Sequence, residues 1–256
     1  FGALGDRPSH PELLDDLADR FVRQGWSIKR LVRELVLSST FRMASTPAPP
    51  AEAADPDNHL LHRMPVRRLD AEAIRDSILA GSGRLDSRMG GPGVEVYLTA
   101  FLDTYSATYG RPKASGPLDG DGRRSLYITV RRNFLTPMLV AFDMPPPLAT
   151  AGRRGTSNVP AQALILMNDP FVAQQAQLWA RRVLAIEGLD PPGRIRRMYL
   201  DAYARPPTGP ELRTALRFLD CHRDVLGEPD ERGDDERVWA DLAHVLLNVK
   251  EFLFLN

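Results

Sequence analysis

Residues 9–36 read SHPELLDDLADRFVRQGWSIKRLVRELV, and this stretch decides the fold class. Ser9 and Glu12 have capping-box spacing, and Leu13, Leu14, Leu17 and Phe21 follow at helical intervals until Gly25 stops the run. Ser27 opens a second run, in which Ile28, Leu31, Val32, Leu35 and Val36 form an apolar stripe and Lys29, Arg30, Arg33 and Glu34 take the remaining face. Two amphipathic helices around one glycine predict an αα-hairpin.

Working outward, Ser45 to Pro56 carries Pro47, Pro49, Pro50 and Pro56, which predicts an exposed connector without regular structure. A third helix is predicted over Ala71 to Leu79, capped by Asp70, with Ile74 and Ile78 facing inward and the Gly81 to Gly83 cluster as its end. Residues 84–125 are rich in Gly and Pro and predict a long irregular excursion. Ser125 to Val130 fits a short strand or a helical turn equally.

From there the chain reads as helical: Ala161 to Met167 behind Pro160, then a helix from the Asp169-Pro170 cap to about Ile186 with Gly188 as stop. Arg194 to Ala204 follows, then a helix opened by the Thr208 and Glu211 capping box to about Leu226, and a last one carrying Trp239, Leu242, Ala243, Leu246 and Leu247 before an apolar tail at Phe252 to Leu255. The expected fold is mainly α, a multi-helix bundle with a Gly/Pro-rich irregular middle and at most short strands. Residues 1–256 form one family domain in this reading, with helical lobes at 1–83 and 156–256 joined by 84–155.

Composition narrows the function classes. The 256 residues hold 33 Lys plus Arg against 33 Asp plus Glu, with 43% hydrophobic, which excludes a disordered tail, a collagen-like chain and a basic nucleic-acid wrapper. The longest apolar run, near the C-terminus, is broken by Asn248, Lys250 and Glu251, so no transmembrane segment is expected. The chain opens at Phe1 with neither Met nor signal-peptide pattern and is expected to be a fragment. The lone Cys221 cannot form an internal disulfide and reads as a buried small hydrophobe, because His222 beside it points about 100° away on a helix.

The linear motifs form a distinctive series: Pro8-Ser9-His10-Pro11-Glu12-Leu13-Leu14-Asp15, Gly25-Trp26-Ser27-Ile28-Lys29, Asp55-Pro56-Asp57-Asn58-His59-Leu60-Leu61 and Arg68-Leu69-Asp70-Ala71-Glu72-Ala73-Ile74-Arg75-Asp76. Gly90-Gly91-Pro92, Arg124-Ser125-Leu126-Tyr127, Phe142-Asp143-Met144-Pro145, Pro160-Ala161-Gln162-Ala163-Leu164, Asn168-Asp169-Pro170, Arg205-Pro206-Pro207-Thr208 and Asn248-Val249-Lys250-Glu251-Phe252 continue it. In this order they resemble the planctomycete-specific C-terminal domain of cytochrome-C-domain-containing proteins, a domain of unknown function. The resemblance implies a larger exported, cell-envelope polypeptide whose upstream domains are this chain's partners, and no known reaction. No C-x-x-C-H haem attachment site occurs, so no cofactor is expected in this fragment and haem only in a separate upstream module.

The best candidate site lies mid-chain, where residues 123–154 hold Arg123, Arg124, Arg131, Arg132, Arg153 and Arg154 against one acid, Asp143. Guanidinium forks suit sulfate, phosphate and carboxylate, so one reading is a groove for an anionic polysaccharide, with Asp143 orienting one fork. The other reading pairs these arginines with the acidic stretch of Asp220, Asp224, Glu228, Asp230, Glu231, Asp234, Asp235 and Glu236. Thirty Arg against three Lys also marks a compositional bias that weakens any single Arg pair as a signal. His10, at the start of the first helix, is a further candidate for an anionic ligand.

Other motifs carry less. His59 and His62 beside Asp55 and Asp57 have a metal-like spacing but lack a third and fourth ligand, so they read as a hydrogen-bonded junction and no metal site is expected. Asp119-Gly120-Asp121-Gly122 lacks the Glu of a calcium loop, and Gly90 to Gly93 reads as a turn. Trp26 and Trp239 read most simply as core anchors, although an exposed Trp could stack on a sugar ring, and the sequence does not decide their exposure.

Three functions follow as expectations: a non-catalytic structural or ligand-binding module; a polysaccharide-acting hydrolase or lyase using Asp143 or Asp103; and a docking surface for the upstream haem module, which predicts an apolar patch near the N-terminus and no small-molecule pocket.

Overall fold

The predicted hairpin forms, with a different start. In the computed structural model, which describes residues 5, 7–98, 115–132, 134–148, 154–226 and 235–255, α1 spans Pro11–Arg23 and α2 spans Ile28–Leu37. The Ser9 and Glu12 capping box is not made: His10 is the N-cap without a side-chain bond, and Ser9 Oγ lies 3.0 Å from His10 Nδ1 instead. Pro11 at the first helical position starts α1 by fixing φ where no N–H partner is needed. Ser27 caps α2 as expected, accepting from the Arg30 N–H. Between the helices Gly25 takes φ 73° and Trp26 φ 60°.

The Pro-rich connector is a correction, because it contains the short helix α3, Pro49–Ala54. Its prolines occupy the first turn, where a missing N–H costs nothing, and Ala51, Ala53 and Ala54 are strong helix formers. Prolines break a helix by position, not by number.

Backbone contacts group the chain into two compact units, residues 1–67 with 254–256, and residues 68–253. The third predicted helix, α4 at Ala71–Ser82, belongs to the second of these units together with the C-terminal helices. It also runs past Leu79, ending only where Gly83 adopts φ 77°. Gly81 is helical and lies against Trp179, where a Cβ would sit 3.9 Å from the indole ring.

The second unit carries the core. α5 is Pro137–Ala141, α6 Pro160–Asn168, α7 Pro170–Leu184, α8 Pro191–Tyr203, α9 Gly209–Leu226, α10 Glu236–Leu247 and α11 Lys250–Leu253. α7 is the central helix, burying Val172, Ala176, Trp179, Ala180 and Val183 against Ile74, Ile78 and Leu79 of α4, Ile195 and Met198 of α8, and Trp239, Leu242, Ala243 and Leu246 of α10. Each Val, Leu, Ile or Met side chain among them contributes about 1.5–3 kcal/mol when fully buried. Asp169 caps α7 by accepting from Phe171 N–H, and the Thr208 and Glu211 capping box of α9 forms as predicted. α8 starts earlier than predicted, at Pro191, because the Asp190 carboxylate accepts from Gly193 N–H.

Among the described residues sheet is minimal: β1 (Arg67–Arg68) pairs with β2 (Phe254–Leu255), and isolated bridges join Asp86 to Arg123 and Val94 to Ile128. Residues 125–130 resolve as a 3₁₀ turn, Ser125–Tyr127, running into the Ile128 bridge. Val96, Leu98 and Phe134 make a small second core beneath this irregular region. The fold is mainly α.

Candidate functional site

The outer face of α4 builds the floor of the site. Ile74 and Ile78 are buried in the core, which turns Glu72 and Asp76, one helical turn apart, to the other side together with Ala73, Ser77 and Ala80. Two adjacent residues of α4 then anchor the irregular segment. The guanidinium of Arg75, 3% exposed, donates to the carbonyls of Asp119 at 2.7 Å and Arg123 at 3.0 Å, and to Ser125 Oγ at 3.2 Å. Burial draws its pKa below the usual guanidinium value, with Asp76 and Asp119 opposing. Asp76 Oδ1 accepts from both the N–H and the hydroxyl of Ser125, each at 2.7 Å.

Segment 124–136 so held closes a groove of about 700 Å3 with α4, α5 and residue 154. Leu85, Val96, Ile128, Phe134, Leu139 and Met144 supply its apolar lining. Around them stand three carboxylates, Asp70, Glu72 and Asp76, and three guanidiniums, Arg124, Arg131 and Arg154. Arg154 forks onto Glu72 at 2.6 and 3.0 Å, and that bond holds the Glu72 carboxyl below its ordinary pKa against the opposing effect of burial. Arg131 forks onto Glu95 at 2.9 and 3.3 Å, and Arg124 Nε lies 3.8 Å from Asp76. Charges are thus balanced pair by pair.

The predicted arginines divide between this groove and the scaffold. Arg124, Arg131 and Arg154 share the groove. Arg123 is buried: it stacks 4.0 Å over the Tyr127 ring and donates to the Gly90 carbonyl at 2.6 Å, holding the Gly90-Gly91 turn, where φ is 78° and 88°. Arg132 is exposed, and Arg153 lies outside the described residues. Asp143, at φ 63°, orients a guanidinium, but that of Arg68, at 2.7 Å; it also accepts from Ser157 N–H and Oγ and is absent from the groove lining. Burial alone would raise the Asp143 pKa, but the bonds from Ser157 and Arg68 outweigh it and hold the carboxyl below its usual value. His10 belongs to the other unit.

Among the described residues the groove arginines meet carboxylates of residues 70–95, while Asp235 caps α10 and Glu236 pairs with Arg181. Asp103, Glu228, Asp230, Glu231 and Asp234 lie outside the described residues.

The remaining motifs have structural employment. His62 Nε2 lies 2.9 Å from the Asp55 carbonyl, and the Asp55 carboxylate accepts from His59 and Leu60 N–H, a hydrogen-bonded junction. Among the described residues no group of three or more His, Cys, Asp or Glu is placed to hold a metal ion. Asp119 binds Arg84 and the Asp121 N–H. One expectation fails, since Cys221 is exposed; Trp26, whose exposure the sequence leaves open, is 67% accessible and edge-on to Phe21. A turn residue at positive φ is carried out of the helix's apolar stripe. Trp239 is a core anchor, as expected.

Sequence reasoning missed Arg75, Asp76, Glu72 and Asp70 as builders of the site. Their signal was present in the Arg68 to Asp76 motif, but helix-surface charges carry no mark of the loop they will hold.

Among the described residues no helix is long and apolar enough to cross a membrane. No curated protein and no solved structure matches the chain. Residues 1–219 match the model of a family described as PSD1, protein of unknown function (DUF1553). With most of its 256 residues inside that match, the chain belongs to the PSD1 family of proteins of unknown function.

Proposed function

We propose that this chain is a non-catalytic ligand-binding module whose α4 groove takes a saccharide. The observation that carries the reading is the rim of the groove, where Arg124 and Arg131 of one segment and Arg154 of another lie over an apolar lining beside three carboxylates. Fork-paired guanidinium and carboxylate groups present donors and acceptors side by side, the pattern that vicinal hydroxyls match, while the apolar lining accepts the C–H face of a sugar ring. Because the rim cations are neutralised locally, a neutral glycan is favoured over the polyanion that the arginine excess suggests. A hydrolase or lyase built on Asp143 is disfavoured: its oxygens are occupied by Arg68 and Ser157, and its depressed pKa suits it to an ion pair rather than proton donation. In this reading the module serves a larger exported polypeptide whose haem chemistry lies in another domain.

The test is thermal unfolding of the chain with neutral and sulfated oligosaccharides at low and high salt. A glycan at about 100 times its Kd adds roughly 2.7 kcal/mol, a shift of several degrees. Arg154→Ala and Arg131→Ala should abolish the shift, and Arg197→Ala, on α8, should keep it. A salt-sensitive shift with sulfated glycans alone restores the polyanion reading; no shift with any glycan overturns saccharide binding.

A further inference from the structure

The α1–α2 hairpin has no interior of its own. No residue of either helix is buried, and Leu14, Ile28, Val32, Leu35 and Val36 are exposed. Helices of 13 and 10 residues are marginal in water without packing, so this apolar face calls for a second surface.

The charges indicate which surface fits. On α1, Asp16 pairs with Arg20 and Asp19 with Arg23, while Arg20 also reaches Glu34 of α2. Among the described residues this leaves Glu12 and Asp15 on α1, and Lys29, Arg30 and Arg33 on α2, without an ion-pair partner. One helix is left acidic and the other basic. At about 100° per residue, Asp15 borders the α1 stripe beside Val22, and Lys29 and Arg33 border the α2 stripe beside Val36. Such a hairpin is complementary to itself. A two-fold rotation that lays α1 of each copy on α2 of the other buries both stripes and brings the leftover acids to the leftover cations twice.

We propose that the α1–α2 hairpin is a homodimerisation element, two copies forming an antiparallel four-helix bundle. The experiment is sedimentation equilibrium of the 256-residue chain over a wide concentration range. A dimer is expected. Val32→Glu with Leu35→Glu should leave only monomer, with the cooperative unfolding transition of the α4–α11 core retained. Asp15→Lys and Lys29→Glu should each raise the dimer Kd about tenfold, since each disturbs two symmetry-related surface pairs, and the combined exchange should recover most of it. A monomer at every concentration overturns the proposal, as does a dimer indifferent to the two glutamates or a double exchange that recovers nothing.

Discussion

The guanidinium of Arg75 donates to the backbone carbonyl of Arg123 at 3.0 Å, across 48 residues of sequence, and with its bond to the Asp119 carbonyl it fixes the irregular segment on α4. Removing this buried cation leaves two carbonyls and the Ser125 hydroxyl short of a partner. Arg75→Met is therefore expected to cost about 2–4 kcal/mol in urea denaturation, since bonds to charged groups are worth about 1.5–3 kcal/mol each and are only partly recovered from water. The cut sites in limited proteolysis should move into residues 118–131. A loss below about 0.5 kcal/mol would show that the segment holds itself.

Gly81 and Gly122 should respond oppositely to alanine. At Gly81 the new Cβ meets Trp179 at ordinary contact distance, so Gly81→Ala is expected to raise stability by roughly 0.5–1 kcal/mol through helix propensity, and Gly81→Leu to lower it by about 1–3 kcal/mol through overpacking. At Gly122, φ is 71° and a Cβ would lie 2.1 Å from the Arg84 carbonyl oxygen, so Gly122→Ala destabilises. Thermal unfolding of the three variants separates these signs.

Asp143 serves the fold through Arg68, which also donates to the carbonyls of Phe142 and Ser157. Asp143→Asn tolerates the positive φ but removes the charge facing a buried guanidinium, and about 1.5–3 kcal/mol of stability should go with it. Saccharide-induced stabilisation should survive in this variant. Its loss would place Asp143 in the binding site after all.

Arg205 forks onto both Glu211 and Glu251, and its bond to Glu211 pushes that carboxyl down to about 2. A carboxylate depressed by folding stabilises the native state fully above its unfolded value and loses that contribution as pH falls through the folded one. Stability should therefore decline from about pH 4.5 toward about pH 2, and Glu211→Gln should flatten that slope. An unchanged acid profile in the variant would mean that other carboxylates govern it.

The groove invites a control on stability. Arg154 and Glu72 are partly exposed, so Arg154→Ala should change the unfolding free energy by less than about 1 kcal/mol even while abolishing a ligand shift. A larger loss would make the fork structural, and the binding test would then need Arg131 alone.

Local chemistry was legible at most helix ends and faces, the Ser9 and Glu12 box being the exception. Ser27, Asp169-Pro170 and the Thr208 and Glu211 box start helices in the structure because caps act within one turn, and the 3.6-residue rhythm that marks Ile74, Ile78 and Trp239 as core depends on the helix alone. The mainly α class follows from such signals, the expected irregular middle from its Gly and Pro content, and the family resemblance from the ordered series of linear motifs. What depended on partners distant in sequence did not. Whether Gly81 ends α4 or packs on Trp179, whether Arg123 faces a ligand or the Gly90 carbonyl, and which acids neutralise Arg131 and Arg154 are decided by contacts the chain makes only once folded. A guanidinium reads the same in sequence whether it is buried on a carbonyl or exposed at a groove; burial and the partner that supplies the opposite charge are tertiary properties, and they alone turned the five described arginines into a scaffold bond, a groove rim and one solvated side chain.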